Sequence, residues 1–150
     1  MNLLLDTNIL IDYLGRKDPY YADAKKLFVM QVFGDANLWV CAQSFTDAFY
    51  VLQKYVTSEQ LQTAFERILE RINVCSLTEN DIRSAAAARW PDFEDCLIAV
   101  CAQKIKADYI VTRDEKGFSA SVVPAIRPAD LVSQQQASKG FAYDEIDFSE

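Results

Sequence analysis

The chain has 150 residues, 51% of them hydrophobic, with no histidine and a formal net charge of −7. That length suits one domain with a substantial core, and the missing histidine removes serine and cysteine triads, histidine acid–base pairs and almost every zinc or iron site. The negative balance argues against a general nucleic-acid coating protein but not against a nuclease, because acids that hold divalent cations are themselves part of it.

The apolar run Leu3-Leu4-Leu5 predicts a buried strand that ends on a carboxylate, Asp6. Thr7 and Asn8 follow, and the spacing then becomes helical, with Ile9, Leu10, Tyr13 and Leu14 on one stripe. An acid placed where a strand hands over to a helix stands at the carboxyl edge of an α/β sheet, where such folds hold their ligands. Asp18-Pro19, an N-cap acid before a proline at N1, predicts a second helix through Ala24, Leu27 and Phe28 to about Phe33, stopped by Gly34. Leu38–Cys41 reads as the second strand. A helix near Ser44–Tyr55 carries Asp47, with Phe45, Ala48, Phe49 and Leu52 on one face. Thr57 with Gln60 forms a capping box for a helix reaching Arg71.

Asn73–Ser76 predicts a third strand, and Thr78 with Asp81 opens a helix that Trp90-Pro91 breaks. The next helix, Asp92–Lys106, carries Leu97, Ile98, Val100, Cys101 and Ile105. Tyr109–Thr112 is a fourth strand running into Arg113-Asp114, Val122–Ile126 a short fifth, and Pro128–Ser133 a helical turn or two. Strands alternating with helices imply a parallel sheet covered on both faces. Residues 1–133 read as one domain. Residues 134–150, with Gln134-Gln135-Gln136, Gly140 and Asp144-Glu145-Ile146-Asp147-Phe148, read as a polar, acidic, loosely held tail.

Cys41, Cys75, Cys96 and Cys101 lie in apolar segments without a C-x-x-C pair, so they read as buried free thiols and fit a cytoplasmic protein. No signal peptide is visible, since the apolar start lacks a basic region and is broken at Asp6 and Asp12. No apolar run approaches the ~20 residues that span a bilayer. The four glycines form no phosphate-cradling loop.

Chemistry must therefore run on carboxylates. Asp6 and Asp114 would sit at strand ends, with Asp95 on the first turn of a helix beside them. Such oxygen ligands suit Mg²⁺ or Mn²⁺. Each acid also has a plainer reading: Asp6 as a helix cap, Asp47 as a solvated helical position, Asp92 as an N-cap more than a ligand, and Asp114 as turn chemistry. Lys25-Lys26, Arg67, Arg71, Arg83, Arg89 and Arg113 read as solvated surface before an RNA-facing rim. Tyr20-Tyr21 and Phe49-Tyr50 read as core or dimer contacts.

Asp6-Thr7-Asn8 after an apolar strand, Asp92-Phe93-Glu94-Asp95 opening an Ile98-Ala99 helix, and Ile110-Val111-Thr112-Arg113-Asp114 with Phe118 beyond resemble the PIN-domain family, including ribonuclease toxins of the VapC type. The likeness runs in order over residues 2–133. It implies a three-layer α/β/α fold with a central, mostly parallel sheet of four to five strands. It also implies Mg²⁺- or Mn²⁺-dependent RNA cleavage, a homodimer, and an antitoxin protein as partner. By that resemblance Asp6, Asp95 and Asp114 take the family's metal-binding and catalytic acids, Asp47 its second acid, and Asn8 and Thr112 polar supports. Asp47 stands where the family usually has glutamate, one methylene longer, so its reach to a metal is through water.

Two further readings remain beside the nuclease. One is a PIN-like fold that no longer cuts and serves as a binding or assembly module. The other is a phosphohydrolase with an aspartyl nucleophile, disfavoured because Asn8 stands where those enzymes carry a second aspartate.

Overall fold

Successive side chains of a strand point to opposite faces of the sheet, and β1 (Asn2–Leu5) buries both faces. Leu3 and Leu5 enter one core, with Ile9, Leu27, Phe28, Val40 and Val111, while Leu4 enters another, with Cys41, Ile98, Cys101, Ile110 and Phe118. All three leucines are fully buried, each worth about 2 kcal/mol relative to exposure. The computed structural model describes residues 1–143.

After β1 come α1 (Thr7–Leu14), α2 (Tyr21–Val32), β2 (Asn37–Cys41), α3 (Ala42–Leu52), α4 (Ser58–Leu69) and β3 (Asn73–Cys75). Then follow α5 (Glu79–Ala88), α6 (Phe93–Lys104), β4 (Tyr109–Val111), a 3₁₀ turn (Glu115–Phe118), β5 (Ala125–Ile126) and α7 (Pro128–Lys139). The five strands form one sheet in the order β3-β2-β1-β4-β5, and every pairing is parallel. Helices α1, α2 and α7 cover one face, α6 the other, and α5 packs outside α6 through Ala85 against Cys96 and Leu97. This is the three-layer α/β/α arrangement expected from the alternating pattern. Both capping boxes form, Thr57 with Gln60 and Thr78 with Asp81. The four cysteines are free and buried.

Three local expectations shift. The second helix starts at Tyr21, after a turn closed by the Tyr21 N–H donating to the Lys17 carbonyl at 2.8 Å, so Asp18 and Pro19 lie in that turn and do not cap. The last strand shortens to Ala125–Ile126, because Val122 is 79% exposed and Pro124 has no N–H to donate.

The last helix runs six residues past its expected end, to Lys139. Gly140, at φ 75°, caps it by donating to the Gln136 carbonyl. Beyond it Tyr143 is buried, its N–H donating to the Gln136 side chain and its hydroxyl to Asp35 Oδ2 at 2.7 Å, with Lys139 also bonded to Asp35. Residues 134–143 are thus held against the end of α2. The acidic stretch Asp144-Glu145-Ile146-Asp147-Phe148 lies outside the described residues.

Candidate functional site

The strand order defines one place for a ligand. From β1 the chain moves outward through β2 to β3, and then returns to β4 on the other side of β1. In open parallel sheets the crevice forms where the order reverses, beyond the carboxyl ends of the strands. Here that point lies between β1 and β4, the strands that end at Asp6 and just before Thr112-Arg113-Asp114.

Asp6 is the N-cap of α1 and only 5% exposed. Its two oxygens are both engaged. Oδ1 accepts the Thr7 N–H at 2.7 Å, and Oδ2 accepts the hydroxyl of the fully buried Thr112 at 2.8 Å. Thr112 Oγ1 in turn accepts the Asp114 N–H at 3.0 Å, so one threonine ties the ends of β1 and β4 together. Burial pushes the Asp6 carboxyl up to about 6, against the two hydrogen bonds that hold it down.

Asp114 is exposed and opens the 3₁₀ turn, its Oδ1 accepting the Gly117 N–H at 3.3 Å. Asp95, on the first turn of α6, comes to the same place. A Cβ built on Gly117 would lie 2.6 Å from Asp95 Oδ2 and 3.1 Å from Asp114 Oδ2. Burial first, then the charges of Asp92, Asp6, Glu94 and Asp114, push Asp95 up to about 7. Four negative neighbours acting on one carboxyl show that these acids share a field and repel one another.

The remaining expected residues are placed less centrally. Asp92 is exposed and caps α6, accepting the Asp95 N–H at 3.0 Å, so its plainer reading describes what it does. Asp47 is half-buried on α3, accepts from Gln43 Nε2 at 3.3 Å, and raises the carboxyl of Glu94. Asn8, half-buried in the first turn of α1, keeps a shielded Oδ1 with no hydrogen-bond partner among the described residues.

One acid was not singled out by the sequence. Glu94 is half-buried, raised by that burial and by Asp47 and Asp92, and held down by a hydrogen bond from Thr7, whose hydroxyl also meets buried Ser44 at 2.8 Å. It bridges the Asp47 side of the crevice to the Asp6 side. Its only signal was its place in the Asp92-Phe93-Glu94-Asp95 run, where helical spacing alone does not separate it from solvated surface.

The donor set is all oxygen, and Mg²⁺ is commonly held by one or two carboxylates while keeping its waters. Asp95 and Asp114 fit that requirement: the absent Cβ of Gly117 leaves a cradle faced by one oxygen of each. Among the described residues no three acids are grouped closely enough to hold an ion together. The fit is therefore to a cation bound by a carboxylate pair, with Asp6 behind it.

A PIN-domain family model matches residues 2–116. No curated protein sequence matches the chain. Among solved structures, the Mycobacterium tuberculosis toxin VapC20, a sarcin-ricin-loop-cleaving toxin, is 15% identical with a TM-score of 0.66, over 84% of this chain and 99% of that one. VapBC-1 from nontypeable Haemophilus influenzae is 22% identical with a TM-score of 0.65, over 86% and 99%. VapBC2 from Rickettsia felis, bound to a DNA fragment from its promoter, is 20% identical with a TM-score of 0.63, over 85% and 98%. At these identities the likeness is one of fold.

Proposed function

The chain belongs to the PIN-domain family, and from that premise we propose that it is a Mg²⁺- or Mn²⁺-dependent endoribonuclease working through Asp6, Asp47, Asp95 and Asp114. The observation that carries this reading is the meeting of Asp95 Oδ2 and Asp114 Oδ2 at Gly117, beside buried Asp6 at the switch point of the sheet. When bound, a divalent ion supplies positive charge against the phosphodiester and acidifies water for attack on phosphorus. Hydrolysis would form a P–O bond from water, break the P–O bond to the leaving ribose oxygen, and return the proton that water loses to that oxygen.

The chain's own side chains set the stage for this. Thr112 and the Thr7 N–H orient the Asp6 carboxylate. Burial and the surrounding carboxylates push Asp95 up to about 7, and a cation held there would favour its ionised form. Glu94 and Asp47 add negative charge along the α3 side of the crevice. Asn8 Oδ1 offers an uncommitted acceptor.

By analogy with the VapBC complexes of similar fold, we infer that the protein acts as the toxin of a toxin–antitoxin pair; the family resemblance adds a homodimer, and the buried free thiols fit a cytoplasmic setting. Tyr50, Val51, Tyr55 and Val56, exposed together at the end of α3 and the turn after it, supply apolar surface for such contacts. Among the described residues no helix is long and apolar enough to cross a membrane.

A second reading, a fold that binds without cutting, is favoured by the absence of any three acids grouped closely enough for an ion among the described residues. Incubating a mixed RNA pool with the wild type and with Asp95→Asn, with Mn²⁺ or with EDTA, separates the two. Mn²⁺-dependent cleavage lost in the variant supports the nuclease, and cleavage that survives Asp95→Asn or EDTA refutes it. No cleavage by folded wild type favours the binding module.

A further inference from the structure

Asp12 is a charged side chain with 0% exposure, in the last turn of α1. Its partner is Arg113, 101 residues away in sequence. Arg113 Nε donates to Asp12 Oδ2 at 2.7 Å and Nη2 donates to Oδ1 at 3.3 Å, a forked contact on both oxygens. The same guanidinium lies 4.0 Å from the centre of the Tyr20 ring. An exposed ion pair in this place would need no comment. This one is half-buried, with Asp12 fully covered and the Arg113 side chain 30% exposed, and taking the Asp12 carboxylate out of water has a cost that a single ion pair does not readily return.

The position of Arg113 supplies a reason for the pair. Thr112, on one side, carries the hydroxyl that binds Asp6 and receives the Asp114 N–H. Asp114, on the other side, faces Asp95 across Gly117. Fixing the Arg113 side chain at its far end therefore restrains the peptide units that aim Thr112 and Asp114. The anchor belongs to α1, whose first turn is capped by Asp6. One helix thus holds Asp6 at its start and, through Asp12, the Asp114 turn near its end.

We propose that Asp12 and Arg113, braced by Tyr20, form a positioning clamp that sets the distance between Asp6 and Asp114 and so tunes cation binding at the carboxylate site. The inference rests on the nuclease reading above. Both clamp residues act through the β4 turn.

The test uses the full chain, with Mn²⁺ itself as the probe. Asp12→Asn keeps the shape and removes the charge, whereas Arg113→Lys keeps the charge and removes the fork. Mn²⁺ affinity is measured by calorimetry, kcat and KM on an RNA substrate, and melting temperature in EDTA. Tyr143→Phe, remote from the crevice, serves as a variant that loses stability alone. The clamp predicts a loss of about 10–100-fold in Mn²⁺ affinity for both substitutions, with kcat lowered, KM for RNA unchanged, and no such loss in Tyr143→Phe. Should Asp12→Asn fail to fold, the milder Arg113→Lys decides the question by the same readings. Lowered melting with wild-type Mn²⁺ affinity and kcat would overturn the clamp and leave the nuclease reading standing. Wild type that neither binds Mn²⁺ nor cuts RNA would overturn both.

Discussion

Gly117→Ala probes the carboxylate pair with a single methyl group. Gly117 is not at positive φ, so its backbone accepts alanine, and such a change alone tends to stabilise by about 0.4–1 kcal/mol. The added Cβ would stand 2.6 Å from Asp95 Oδ2, closer than real Cβ contacts. Reaching an ordinary contact of about 3.4 Å requires that oxygen to retreat by about 0.8 Å, and Asp114 Oδ2 by a few tenths. Both atoms are ends of side chains, which swing at small cost to folding. The swing removes the convergence on which cation binding depends. A misplacement near 1 Å at a reacting centre costs on the order of 100-fold in rate. Gly117→Ala should therefore melt within about 1 kcal/mol of the wild type while losing on the order of 100-fold in Mn²⁺-dependent RNA cleavage. Gly140→Ala should do the reverse. Its φ of 75° with open space around it makes alanine strained but harmless to the crevice, so stability falls by about 1 kcal/mol and cleavage holds. Initial rates and thermal melts on the two variants decide the matter. Wild-type cleavage by Gly117→Ala would refute the idea that these two oxygens share a cation.

Other expectations follow from the same geometry. Asp6 rises from 3.8 unfolded to about 6 folded, so its contribution to stability is complete only well below 3.8 and is lost as pH climbs through 6. Between about pH 3 and pH 8 that amounts to about 3 kcal/mol, and Asp6→Asn should flatten the corresponding part of the melting profile in EDTA; equal slopes in both proteins would contradict it. Asp47→Glu, restoring one methylene beside Glu94, should raise Mn²⁺ affinity several-fold in calorimetry, and a fall would mean that Asp47 is already at its working length. Tyr143→Phe removes the 2.7 Å hydrogen bond to Asp35 and should cost about 1–2 kcal/mol in urea unfolding. RNA cleavage by that variant should match the wild type, and a clear loss would link the α7 end to the crevice.

Local signals in this chain carried the local structure. Leu3-Leu4-Leu5 before Asp6 announced a central strand with an acid at its carboxyl edge, and the two capping boxes marked helix starts that the structure reproduces. Asp92 was readable as a cap because Asx capping is a property of neighbours in sequence. What escaped depends on other elements. Glu94 differs from a solvated helical acid only through Thr7 on α1 and Asp47 on α3, which no periodicity reveals. The Asp12–Arg113 pair joins α1 to the end of β4, and an isolated aspartate on a helical stripe carries no hint of its partner. The length of α7 was hidden by Gln134-Gln135-Gln136, which looks like loop composition. Lys139 followed by Gly140, a basic last turn and an αL cap, was the available signal for its true end.

Calorimetric titration of Mn²⁺ into the wild type and into Asp6→Asn/Asp114→Asn, with cleavage of an RNA pool followed in the same samples, tests the carboxylate site most directly. Saturable binding and cleavage in the wild type, with both lost in a doubly substituted protein that still folds, is the expected result. Cleavage that persists without Asp6 and Asp114 would contradict the site, and a folded wild type that neither binds the ion nor cuts would contradict the nuclease.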